Sequence, residues 1–278
     1  MPVNDQFSVL MSLYEKENPA FLKLCFEGLL NQTMRASEVV LVFDGPITNE
    51  LEEVVNNFRE SLNIKVYKLD INVGLSAALN YGLMNCTEEV VARVDTDDIC
   101  LPQRFEKQLE VFGTDKSIDI CGGFANIIDE AGVVSDSLTV PLTHDDIKKV
   151  IWACPMIHPT VMFKKGSIEN IGSYSINCPN RQDDYELWIR SMRNGLVFKN
   201  IPENLISYRI CSGVNKNTFR VGFDRMLIGI KAVYEFDNRF FSYVALLYPM
   251  IRALTPYIIQ SKLVRLAKYF DPRTSRDL

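Results

Sequence analysis

A chain of 278 residues that is 47% apolar has ample material for one large α/β core, or for a core with an appendage. Its charge of −5 is uneven: residues 238–278 carry seven Lys/Arg against two Asp/Glu, a net +5 that leaves −10 on the rest and so argues against a nucleic-acid-binding body and for a tail that meets an anionic surface. Seven cysteines stand singly with no paired spacing, and Met1-Pro-Val-Asn-Asp-Gln6 has neither a basic nor an apolar export region, which disfavours a disulfide or zinc framework and predicts a reduced, cytoplasmic setting.

Phe7-Ser-Val-Leu-Met-Ser-Leu-Tyr14 is an apolar run suited to a buried strand, and an amphipathic helix follows over residues 20–31. The turn between them has no glycine. A dinucleotide fold needs a glycine-rich loop here so that backbone can approach a pyrophosphate, and a P-loop needs Gly-Lys-Ser/Thr, so neither fits. Val39-Val-Leu-Val-Phe43 predicts the second strand, stopped by Asp44-Gly45-Pro46. Asp44 is either part of a plain turn or a carboxylate placed where open α/β sheets bind ligands, able to accept a base N–H or a ribose hydroxyl.

A helix near residues 49–61, a strand at 64–69, and a loop with a small-residue helix over 72–82 come next. Ala77, Ala78 and Gly82 allow that helix to lie close on the sheet, while Asn80 is either a satisfied amide or a ligand contact. The fourth strand is Val90-Val-Ala-Arg-Val, which ends in Asp95, Asp97 and Asp98 before Pro102 and a helical pattern of Phe105, Leu109 and Phe112. Three carboxylates this close repel unless a cation or donors sit among them, and a hard divalent ion held by Asp together with substrate phosphates is the usual solution. The plainer reading is an acidic turn capping the next helix. Strand and helix alternate throughout this half, predicting a mostly parallel sheet with helices on both faces.

The second half has a different texture. Residues 118–123 and 124–128 read as β structure, residues 127–142 as a polar candidate mobile loop, and Thr143-His-Asp-Asp146 as a capping box before residues 147–152. His158 precedes Pro159 in a run leading to another strand; it is either packed and hydrogen-bonded or part of a site. Asp183 and Asp184 open a helix that carries Leu187, Trp188 and Met192 and ends at Gly195. Acids there complement the helix dipole, and equally an Asp facing the first cluster could be a general base.

Residues 216–236 predict a further helix, followed by an apolar, aromatic run too short to span a bilayer and interrupted by Pro249, Arg252 and Pro256. With Lys262, Arg265, Lys268, Arg273 and Arg276 beyond it, an interfacial segment on anionic lipid fits; the alternative is packing on the preceding domain or in a homo-oligomer.

Taken in order, the first strand, Val-Leu-Val-Phe-Asp44-Gly45, Asn72-Val-Gly74-Leu-Ser-Ala-Ala-Leu-Asn80, Arg93-Val-Asp95-Thr-Asp97-Asp98, Pro102-Gln-Arg104, His158-Pro-Thr-Val and Asp183-Asp184-Tyr-Glu-Leu-Trp188 resemble a family-2 glycosyltransferase of the GT-A fold. Within it, the chain is similar to bacterial exopolysaccharide and O-antigen transferases typified by the amylovoran enzymes. The resemblance runs from about residue 7 to 209, and its specificity lies in the joint order. It implies a GT-A catalytic domain over residues 1–212, with a nucleotide-sugar-binding half (1–115) and an acceptor-binding half (116–212), and a helical C-terminal segment over 213–278.

The resemblance also implies roles. Leu13, Tyr14, Glu17, Asp44, Gly74, Asn80, Arg93 and Asp95 would border a UDP-sugar; Asp97, with Asp95, would hold Mn²⁺ or Mg²⁺; Asp184 would be the base of an inverting transfer. Asp98, His158, Asp183 and Trp188 would shape the acceptor side. Asp183 stands where Glu is frequent, which keeps an acid, whereas Cys154-Pro155-Met156-Ile157 replaces an Asn-rich neighbour of His158. The acceptor implied is a glycan, including one linked to undecaprenyl diphosphate, at the inner face of a bacterial plasma membrane. Two other functions compete. A sugar nucleotidyltransferase would carry a Gly-rich, basic loop after the first strand, which Ser12-Leu-Tyr-Glu-Lys-Glu-Asn18 lacks; a non-catalytic sugar-nucleotide-binding protein would need no base.

Overall fold

The computed structural model describes residues 6–179, 181–211, 218–256 and Asp271. The first half alternates as its apolar runs require: β1 (Ser8–Leu13), α1 (Pro19–Leu30), β2 (Glu38–Phe43), α2 (Asn49–Phe58), β3 (Ile64–Lys68), α3 (Leu75–Asn85) and β4 (Val90–Arg93). The strands are parallel, in the order β3-β2-β1-β4. Alternate residues of β1 and β2 feed two cores. Val9, Met11, Val39 and Leu41 pack with Leu22 and Phe26 of α1 and with Leu51 of α2, whereas Leu10 and Val40 pack with Leu79 and Leu83 of α3. Burial on both faces explains why these strands are continuously apolar. A Cβ on Gly82 would lie 2.5 Å from Leu10 Cδ1 and 2.9 Å from Val42 Cγ2, so α3 sits as close to the sheet as its small residues predict.

After β4 the elements are β5 (Ile99–Cys100), α4 (Arg104–Thr114), β6 (Ile120–Ile128), β7 (Val134–Leu138), α5 (His144–Lys149), β8 (Met162–Lys164), α6 (Lys165–Asn170), α7 (Asp183–Arg193), β9 (Phe198–Arg209), α8 (Phe219–Phe236), α9 (Phe240–Ala245) and α10 (Tyr248–Leu254). The sheet continues β4-β8-β6-β9-β5, with β7 added on β6. Antiparallel β8 makes it mixed, and the β structure expected at 118–123 and 124–128 is one strand whose register shifts around Phe124. The chain therefore has an α/β architecture, a mixed sheet with helices and a helical C-terminal segment.

The polar stretch expected as a mobile loop at 127–142 is instead largely a β-hairpin of β6 and β7. Its turn is tied by Asp129 N–H to Val133 O and by Val133 N–H to Asp129 Oδ1, with Gly132 at φ +82. All residues of β7 but Leu138 are exposed, so no apolar alternation marks it in the sequence. Thr143 caps α5 as its box predicts, accepting the Asp146 N–H at 3.2 Å. Among the described residues no helix is long and apolar enough to cross a membrane. The basic residues Lys262, Arg265, Lys268, Arg273 and Arg276 lie outside the described residues.

Candidate active site

The carboxyl ends of β1, β2 and β4 open on one edge of the sheet, the edge at which open α/β sheets bind ligands. Leu13 is buried at the end of β1, and Tyr14 stands beside it, half exposed. Burial raises the Tyr14 phenol, Glu17 and Asp97 raise it further, and Arg181 opposes them, which brings these four side chains around one mouth. Asp44 is buried and takes the N–H groups of Val73 (2.7 Å, to Oδ1) and Gly74 (3.1 Å, to Oδ2). Asn72 Nδ2 donates to the Asp44 carbonyl. The primary task of Asp44 is thus to order the loop before α3, and each carboxylate oxygen retains a further lone pair for a ligand. Gly74 adopts φ +90 at the N-cap of α3 and, with Ser76, Cys178, Arg181 and Asp183, lines an open hollow of about 190 Å³.

The three acids do not cap a helix. They fall between β4 and the short strand β5, which pairs antiparallel with β9, while α4 starts later with Gln103 as its N-cap. Ligand oxygens of Asp95, Asp97 and Asp98 lie within 4.8 Å of one another. Asp95 Oδ2 is ion-paired with the buried Arg93 guanidinium. Asp98 is buried, and its Oδ1 accepts the Arg209 N–H at 2.8 Å; Oδ2 is also buried and has no hydrogen-bond partner. Burial, then Asp95 and Asp97, push the Asp98 carboxyl well above the usual range, as expected of acids crowded together without a cation.

Two buried arginines hold this loop. Arg209, at the end of β9, donates through Nε to Asp97 O (3.0 Å) and through Nη1 to Asp129 O (2.9 Å) and Glu130 O (3.2 Å), and its Cζ lies 4.1 Å from the Phe21 ring centroid. It ties the acids to the β6–β7 turn. Arg104 of α4 donates through Nη2 to Arg93 O at 2.8 Å, while Gln108 one turn later donates to Cys121 O and Thr160 O. Sequence reading assigned Arg209 no role. Its only signal is an isolated cation ending the otherwise uncharged run Leu-Ile-Ser-Tyr-Arg209.

Asp183 and Asp184 form the first turn of α7, whose C-terminus closes at Asn194 with Gly195 at φ +77. Asp184 Oδ1 accepts the Tyr185 N–H at 2.7 Å. Burial, reinforced by Asp183, pushes the Asp184 carboxyl up to about 6, with Arg225 and Arg93 opposing. Burial raises Asp183 as well, and Asp95 adds to it while Arg93 opposes. The second acid cluster therefore lies within the field of the first, with Arg93 bearing on both.

His158 is buried, its Nε2 2.9 Å from Tyr174 Oη and its ring packed edge-on to Trp188. Burial and the Arg93 charge hold it well below its ordinary value, which disfavours the charged ring, and Trp188 belongs to the hydrophobic core beside it. Asn80, expected at the ligand, commits its amide instead: Nδ2 donates to Tyr174 O and Oδ1 accepts the Tyr174 N–H, both at 2.8 Å. It anchors the segment that carries Tyr174 to α3. Arg225 of α8 lies over the Tyr185 ring (4.6 Å) and donates to Ala153 O, a contact with no local sequence signal.

The glycosyl transferase family 2 model matches residues 8–172. Similar proteins include the amylovoran biosynthesis glycosyltransferase AmsE of Erwinia amylovora, 41% identical over 213 residues that cover 76% of this chain and 79% of that one. The UDP-Gal:alpha-D-GlcNAc-diphosphoundecaprenol beta-1,3-galactosyltransferase of Escherichia coli is 34% identical over 235 residues, 83% of each chain. Among solved structures, S. aureus TarS 1-349 in complex with UDP-GlcNAc matches 97% of this chain and 82% of its own with a TM-score of 0.66 at 15% identity, which shows a shared fold.

Proposed function

The chain belongs to glycosyl transferase family 2, and we propose that it is an inverting, metal-dependent hexosyltransferase that moves a sugar from a UDP-hexose to a hydroxyl of a lipid-linked glycan in bacterial surface polysaccharide synthesis. The observation that supports this reading is a shared hollow: Gly74, held by Asp44, and Asp183, next to Asp184 at the start of α7, line it together, and Asp183 feels the charge of Asp95 in the acid cluster that follows β4. A UDP donor is supported by the galactosyltransferase relative, named for UDP-Gal, and the TarS neighbour bound to UDP-GlcNAc; an undecaprenyl-diphosphate-linked acceptor is supported by the same relative's name.

Leu13, Tyr14, Glu17, Asp44 and Gly74 border the nucleotide in this reading, with Arg93 and Asp95 beyond them. The donor set of Asp95, Asp97 and Asp98 suits a hard cation: three carboxylates are gathered, and one buried oxygen lacks a hydrogen bond. Mn²⁺ or Mg²⁺ bound there would neutralise charge on the departing diphosphate. Asp184, held near 6, is ionised at neutral pH and still basic enough to take the acceptor hydroxyl proton as that oxygen attacks the anomeric carbon opposite the diphosphate. A single displacement inverts the configuration. Such an acceptor places the enzyme as a peripheral protein on the cytoplasmic face of the plasma membrane.

The test is turnover of a panel of UDP-sugars with an undecaprenyl-diphosphate-linked acceptor, with and without Mn²⁺, and with the product's anomeric configuration read by NMR. Transfer with inversion that a chelator abolishes is expected. Metal-independent transfer, retention of configuration, or release of pyrophosphate would each overturn the proposal.

A further inference from the structure

Among the described residues, exposed apolar side chains concentrate in the C-terminal helices. On α8, Phe219, Phe223, Leu227, Ile230 and Tyr234 are exposed at spacings of three and four, so they form one stripe. Along α9 and α10, Phe240, Val244, Leu247, Ile251 and Leu254 form a second, with Phe240 83% and Leu254 71% exposed. Gly222 faces Pro249 and Met250, and Gly229 faces Leu246, so α8 and the α9–α10 run pack antiparallel. Right-handed winding then turns both stripes to the same side of the hairpin. Ten large apolar side chains on one side exceed what a soluble surface ordinarily leaves open.

We propose that this face docks on an anionic phospholipid surface, lying in the interface rather than crossing it. The occupant follows from charge and size. Arg220 and Lys231 are exposed along one edge of the α8 stripe, and the sequence beyond Pro256 adds five Lys/Arg against two Asp/Glu. Exposed cations beside an aromatic, apolar face, on a C-terminal sequence with net positive charge, complement anionic headgroups over acyl chains, whereas a second copy would oppose like charges. No described helix is long and apolar enough to cross a membrane.

The location gives the face its use. The α8 helix also carries Arg225, which lies over Tyr185 next to Asp184, and Gly229 packs against Tyr185 Oη. Docking would thus hold the proposed base close to the headgroup plane, where the diphosphate end of a lipid-linked acceptor lies. That purpose rests on the proposed acceptor; the docking itself does not.

Flotation of the full-length protein with phosphatidylglycerol-containing vesicles, against pure phosphatidylcholine and over a salt series, tests the docking without any catalytic readout. The wild type should float with anionic vesicles and detach as salt rises. Arg220→Gln with Lys231→Gln should lower partitioning roughly 30-fold, from about 1 kcal/mol per basic residue. Phe223→Ser with Leu227→Ser should lower it at least about tenfold, with UDP-sugar turnover on a water-soluble acceptor unchanged. Failure of the wild type to float, or variants that float equally well, would overturn the proposal. A dimer in sedimentation velocity that these Ser substitutions dissociate, without vesicle binding, would assign the face to a second copy.

Discussion

Replacing Asp184 by Asn separates the cost of the proposed base from its use. Its carboxyl is pushed from 3.8 to about 6 by burial and by Asp183, a rise of about two units. At ~1.36 kcal/mol per unit, the ionised form destabilises the native state by about 3 kcal/mol above pH 6. The sign follows from proton affinity: the native state holds this proton more tightly than the unfolded chain, so stability falls as pH rises from about 4 to about 6 and is level above. The substituted amide would keep the oxygen that accepts the Tyr185 N–H while losing the charge. Asp184→Asn should therefore gain about 2–3 kcal/mol at pH 8 and roughly half that at pH 5. Its kcat should fall about 10²–10⁴-fold, and the wild-type rise of kcat/KM through pH 6 should vanish. Urea denaturation followed by fluorescence of the buried Trp152 and Trp188 measures the first quantity, and pH-dependent kinetics the second. A variant that is less stable at pH 8, or one with wild-type kcat, would refute the reasoning.

Asp97→Ala should lower transfer at least about 100-fold, as chelation does to the wild type, yet in metal-free buffer it should unfold at the same or higher temperature because one of three crowded carboxylates is gone. Calorimetry and turnover on the same sample check both halves. Gly45→Ala forces a side chain at φ +85 and a Cβ 2.7 Å from Asn72 N, so the loop ordered by Asp44 must move. A loss of about 2–4 kcal/mol in urea and a raised donor KM are expected. Arg209→Gln leaves carbonyls of Asp97, Asp129 and Glu130 without their cationic donor. A loss of about 3 kcal/mol, lowering Tm by roughly 6–12 °C, should accompany reduced turnover.

The first half of the fold is legible because its strands are buried on both faces, so each leaves an unbroken apolar run such as Val39 to Phe43 flanked by turn residues. The second half hides where pairing replaces periodicity. Strand β5 is two residues long, and it is made a strand by β9 more than a hundred positions away. The β6–β7 hairpin escapes because β7 is an exposed polar edge. At the site, clustered acids announce themselves, since like charges are seldom adjacent without a reason. Side chains spent on groups inside the protein give no such sign: Asn80 is bound to the Tyr174 backbone, Arg209 to three carbonyls, and His158 to the Tyr174 hydroxyl. For Asn80 and Arg209 the deciding partner lies far along the chain.

The strands that carry Asp44 and Asp95 and the strand that ends in Arg209 belong to one unbroken hydrogen-bonded sheet. Substrate entry and product exit cannot proceed by a clamshell swing of two lobes, because every such hinge would tear main-chain bonds through the middle of the molecule. Access to the hollow then falls to short segments at its rim, such as the one that carries Cys178 and Pro179. A change of sugar or acceptor preference can then arise by rebuilding those segments alone, with the scaffold left untouched.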